Sequence, residues 1–199
     1  MDILILAMVA ATGIAFFNAQ QQKKRIALLS RVLGQYQIEA LMENLTQGYL
    51  RALGEDDTER RDQIWSLLTG AETSIAEQFG RFARDFANVD AQAARVNRFP
   101  LPLLTGLLPQ GSFDAREAFK IHARGIAEAV ANEAQRSARD KAFVLSAELF
   151  LMQHTCHWFC RSRATASVRL LQRHQTSHEQ VLASVSPATR RAYTELTGL

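Results

Sequence analysis

From Ile3 to Phe17 the chain reads "ILILAMVAATGIAFF", with no charge and only Thr12 as a mildly polar side chain. A helix made of these residues is apolar on every side, so protein or lipid must cover it all round. That requirement constrains the fold more than any other stretch does. Continued through Asn18 and Ala19, residues 3–19 reach the short end of what crosses a bilayer.

Three readings compete for this segment. A cleaved signal peptide calls for positive charge ahead of the apolar run, whereas Asp2 precedes it and Lys23, Lys24 and Arg25 follow it. A first helix buried in a soluble bundle is the plain alternative. The favoured reading is a retained anchor that meets the lipid bilayer through residues 3–19. Because positive residues stay on the cytoplasmic side, Lys23, Lys24, Arg25 and Arg31 would put the N-terminal tip outside and residues 20–199 in the cytoplasm. With arginine preferred to lysine, the expected placement is a single-pass protein of a bacterial inner membrane. Cys156 and Cys160 lie in one stretch and form no disulfide framework, in keeping with a reducing compartment.

The remainder is rich in helix formers, and its 10 glycines and 4 prolines are few for 199 residues. The expected fold class is all-α: an antiparallel helical bundle with long coiled-coil-like helices, one domain over 20–199, preceded by the apolar helix of 1–19. Apolar residues from Ile26 to Leu53 recur at three and four and predict a long helix, open to continuity with the anchor. Gly54 suits a left-handed stop, and Asp57 or Thr58 can cap the next helix. Ile75, Phe79, Phe82, Phe86, Val89, Ala93 and Val96 alternate spacings of four and three, a heptad seam read chiefly as core. The same seam fits packing within the chain or self-association.

Residues 97–112, "NRFPLPLLTGLLPQGS", contain three prolines, which forbid continuous helix. They also carry Phe99, Leu101, Leu103, Leu104, Leu107 and Leu108, apolar for a connection that should run over wet surface. At 1.5 Å per residue, 20–53 rise about 50 Å and 58–96 descend about 58 Å. An antiparallel return therefore brings this loop back toward the anchor, to touch the membrane interface, cap the bundle end or meet a partner. Ser112, with Asp114 and Glu117, opens the next helix through Phe119, His122, Ile126 and Val130. Ser137 and Asp140 mark a break. The helix after that break is expected to run to about His174, with Thr176–Glu179 a capping box, Ser186-Pro187 a start and Gly198 a stop.

The stretch "LMQHTCHWFC", residues 151–160, gathers two histidines and two cysteines. On a helical wheel Cys156 and Cys160 share a sector with Leu145, Leu149 and Met152, while His154 lies nearly opposite and His157 on a third side. Four such ligands do not converge on one ion. Cys156, His157 and Cys160 are the metal candidates, each pair needing ligands from another helix, and core packing is the favoured reading. Residues 142–160 could also be read as a second span, but Glu148, Gln153, His154 and His157 are costly in hydrocarbon. Glu148, if buried, needs a partner such as an arginine or histidine.

Arg161, Arg163, Arg169 and Arg173 form a basic stretch for a partner or membrane surface. Nucleic acid is a weaker reading, since stacking aromatics are sparse around it. Phosphate-loop, dinucleotide, nucleophile-elbow and H-E-x-x-H motifs are missing, so neither a cofactor nor catalysis is expected. The sequence points to a membrane-anchored interaction or scaffold module. A soluble bundle holding a metal or small ligand at 154–160 is the rival.

Overall fold

The computed structural model describes residues 2–98 and 111–199, with the side chains of residues 2–4, 6, 10 and 11 outside that description. The described residues are all-α but for one small ribbon. Eight helices run α1 Asp2–Leu33, α2 Ile38–Leu53, α3 Thr58–Phe86, α4 Ala115–Ala131, α5 Ala138–Cys160, α6 Arg163–His174, α7 His178–Ser184 and α8 Pro187–Thr197. Strands β1, Arg95–Asn97, and β2, Ser112–Asp114, pair antiparallel with Val96 opposite Phe113. The sequence offered no convincing strand; three residues are too few to show alternation, and tertiary pairing decides here.

The apolar segment and the helix after it form one element, α1. The long helix expected over 20–53 is instead broken at residues 34–37. Gly34 donates to the Ser30 carbonyl, and a Cβ at that glycine would stand 2.7 Å from the same oxygen. The Gln37 amide, left without a helical acceptor, donates to Gln78 Oε1 at 2.7 Å. Chain direction survives the break. Tyr36 hydrogen-bonds Asp85, Tyr49 Oη reaches Glu72 Oε1 at 2.7 Å, and Gly48 lies against Leu68, so α3 returns antiparallel to α1 and α2. Gly54 caps α2 at φ −92°, not in the left-handed region foreseen for it. Asp57 caps α3 by accepting from the Arg60 amide.

The seam is buried as expected from Ile75 to Phe86. Phe79, Phe82 and Phe86 pack on Phe119 of α4 with ring centroids 6.3, 5.1 and 4.8 Å away, and Phe86 meets Phe159 of α5. The heptad beyond it is not helix. Asp90 turns its carboxylate onto the amides of Gln92 and Ala93, each at 3.0 Å. This turn leaves Ala93 exposed, buries Ala94, and carries Val96 into β1. From Ile75 to Phe86 the seam is buried by packing within the chain.

α5 is the central helix, packed against α1, α2, α4, α6, α7 and β1. Neighbours on nearly every side explain its all-round apolarity without a second span. It stops at Cys160 and not near His174, because Ser162 caps α6 by accepting from the Thr165 amide at 3.2 Å. The cap of α4 is Asp114 rather than Ser112, and that of α7 is Ser177, in a capping box with Gln180, rather than Thr176. Ser137, Ser186-Pro187 and the left-handed Gly198, at φ +70°, stand where the sequence puts them.

Among the described residues no helix is long and apolar enough to cross a membrane. The transmembrane span expected over residues 3–19 is thus not supported by them, and part of that run lies outside the described side chains. Burial within the bundle fares no better: Ile5, Met8, Val9, Phe16 and Phe17 are all more than half exposed. Intramolecular cover for α1 begins further along, with Leu29 and Val32 buried.

Candidate functional site: an uncovered helix above a basic collar

Two features converge at one end of the bundle. The first is the N-terminal half of α1. At 100° per residue its exposed Ile5, Met8, Val9, Ile14, Phe16 and Phe17 point to all sides, so no single neighbouring face could cover them. The second is a set of cations where that helix enters the bundle. The Arg25 guanidinium donates to the Arg95 carbonyl at 2.8 Å and lies over the Phe159 ring, 5.9 Å from its centroid. Burial lowers its pKa. Arg161 reaches Gln22 Oε1 at 3.5 Å. Arg98 donates to the Leu196 carbonyl at 2.8 Å, tying the loop stem to α8. Lys23, Lys24, Arg95 and Arg161 are exposed.

None of these cations enters an ion pair among the described residues. The acids of this end are engaged elsewhere: Asp114 with Arg116, Asp90 with backbone amides, Asp85 with Tyr36. Arg116 holds the Asp114 carboxyl below the usual range despite its partial burial. Glu55, Asp56 and Asp57 sit at the opposite end, on the turn between α2 and α3, with Glu59 in the first turn of α3. Arg51, Arg60 and Arg61 stand at that end too, and Arg60 pairs with Glu55 at 3.9 Å, so the collar is set apart by cations that enter no ion pair among the described residues.

The apolar loop residues Phe99, Leu101, Leu103, Leu104, Leu107 and Leu108 lie outside the described residues. Their stems do not: Trp158 Nε1 donates to the Asn97 carbonyl at 3.0 Å, and the Arg98 amide to that of Gly111. Both stems stand at the collar level, as the antiparallel return requires.

The metal candidates part company. Cys156 Sγ faces Met152 Sδ at 3.9 Å, and burial pushes its thiol far up. Cys160, half-buried near Arg25 and Arg169, is pushed up to about 11 by burial, which outweighs those cations. His157 Nδ1 meets Arg169 Nη1 at 3.1 Å, and its pKa is lowered by burial and then by Arg169. A cation already occupies the outlet between His157 and α6, and no group of three metal-ligating side chains occurs among the described residues.

Nor do the four arginines of the basic stretch form one stripe. Arg163 lies over the Trp158 ring at 5.8 Å and Arg169 is taken by His157, while Arg173 projects from α6 and Arg161 belongs to the collar.

A buried polar core, missed in the sequence, joins α4, α5, α6, α7 and α8. His122 Nε2 lies 2.8 Å from Thr155 Oγ1, which in turn lies 3.0 Å from Tyr193 Oη. His154 meets Ser167 Oγ at 3.1 Å, and its ring lies 4.2 Å from that of His178. Burial lowers His122 to about 3 and His154 to about 2, so both imidazoles are neutral. Glu148 Oε1 accepts from the Ser186 amide at 3.0 Å, where an arginine or histidine partner was expected. Burial raises its pKa to about 7 against that hydrogen bond. The signal available was the run of Glu148, His154 and Thr155 in an otherwise apolar helix; their partners come from distant segments.

Compared with known proteins, the chain matches no family model, no curated protein and no solved structure.

Proposed function

We propose that this chain is a membrane-attached interaction module: residues 3–19 of α1 lie in lipid, and the bundle of 20–199 is held against the cytoplasmic face of a bacterial inner membrane. One observation carries this reading. The apolar N-terminal half of α1 has no protein cover, and a helix greasy on all sides cannot stay in water. The cations that come after it agree with a cytoplasmic bundle. Binding rather than catalysis is the role we read for it, since His122, His154 and Glu148 are buried and each hydrogen-bonds a residue of another segment.

Fractionation of cells producing the full chain or residues 20–199 tests the placement. The full chain is expected in the membrane fraction after alkaline carbonate washing, and the fragment in the supernatant with the helical circular dichroism of a folded bundle. Recovery of the full chain in the carbonate supernatant overturns the reading. Aggregation of the fragment assigns residues 3–19 to the core.

A further inference from the structure

We infer that the collar around α1 is a docking surface for anionic lipid headgroups, on which the bundle rests instead of swinging free on its anchor. The inference depends on residues 3–19 being in lipid, and adds to it a partner chemistry and an orientation. Three observations lead there. First, α1 is one unbroken helix from Asp2 to Leu33, and its second half is clamped by buried Leu29 and Val32, so the lipid-facing half cannot pivot against the bundle. Second, the level is set by hydrogen bonds. Gln22 meets Arg161 and Arg25 meets Arg95, which fixes two exposed arginines from β1 and the α5–α6 break beside the helix. Helical rise puts Gln22 and Arg25 about 7 and 12 Å beyond Phe17. The headgroup layer outside the hydrocarbon is about 5–8 Å thick on each side, so long arginine and lysine side chains at this level reach its phosphates. Third, Lys23, Lys24, Arg95 and Arg161 lack carboxylate partners among the described residues, and the acidic turn lies at the far end. A negatively charged surface draws in the end whose cations are unpaired.

Each cation near such a surface contributes a bias of about fivefold, or about 1 kcal/mol. The four exposed cations together favour the docked state strongly at low salt and weakly at high salt. The test uses the full chain reconstituted with vesicles of phosphatidylcholine alone or of phosphatidylcholine with phosphatidylglycerol. Flotation reports attachment. Arginine modification by phenylglyoxal, read by mass spectrometry at Arg95 and Arg161 with Arg51 as the far-end reference, reports docking. The expected result is flotation with both vesicles and modification of Arg95 and Arg161 at least about fivefold slower on phosphatidylglycerol, restored by high salt, with Arg51 unchanged. Flotation with both vesicles but equal modification overturns the collar and leaves the lipid-embedded helix standing. Flotation with phosphatidylglycerol vesicles alone overturns the embedded helix, and with it the docked arrangement that depends on that helix. Flotation with neither overturns both.

Discussion

Glu148 is a carboxyl held where its charged form is disfavoured. Its carboxyl is buried, and its pKa is raised to about 7. Between the ordinary carboxylate range and pH 7 the folded chain holds a proton that the unfolded chain has released. Glu148 therefore favours the fold at low pH, and that contribution is lost as pH rises through about 7. His122 and His154 act in the opposite sense. Their folded pKa values of about 3 and 2 mean that the unfolded chain takes up protons first as pH falls below the ordinary histidine value, and stability is lost there. Urea unfolding across this range should show a wild-type loss on the acid side, and Glu148→Gln should remove the loss through pH 7 while keeping the acid limb. Gly125 stands against the same carboxylate: a Cβ there would strike Glu148 Oε2 and Thr189 Oγ1. Gly125→Ala should cost about 1–3 kcal/mol by overpacking, measured as a lower urea midpoint. The spacing around Gly125 carries no trace of this contact, because both partners come from helices at least twenty residues away.

Between elements, the buried ion pair of Lys141 with Glu72 links the start of α5 to α3, and Tyr49 of α2 donates to the same carboxylate. Lys141→Met leaves a buried carboxylate with one neutral donor and should cost about 3 kcal/mol, whereas Glu72→Leu with Lys141→Leu should recover most of that. Thermal unfolding of the two variants checks it; equal losses in the single and double variants would remove the pair from the account. The stop between α5 and α6 rests on one side chain. Ser162→Ala should lower stability by about 1 kcal/mol through loss of the α6 cap. Caps of this kind were legible where a serine preceded a proline or stood three residues before an acid, as at Ser186 and Ser137. They were misplaced by one or two residues where several capping residues compete, as at Thr176 and Ser177 or Ser112 and Asp114. Helical periodicity alone does not see a turn such as that at Asp90, since Val89, Ala93 and Val96 continue the heptad through it.

At the scale of the whole molecule, deletion of residues 1–19 should leave the bundle's unfolding free energy in urea unchanged within about 0.5 kcal/mol, because their described side chains touch no core. A larger drop would give α1's first half a structural role. The all-helical class, the seam through Phe86, the antiparallel return and the unsolvable greasiness of residues 3–17 were all readable from residue order. Each depends on periodicity, on helical rise, or on the free energy of exposing apolar surface, which are local or additive properties. Tertiary structure alone decided that α5 is the centre, that His122, Thr155 and Tyr193 meet, and that Arg95 and Arg161 stand beside α1. Those are relations between segments far apart in the chain, created by packing, and no spacing within a segment encodes them.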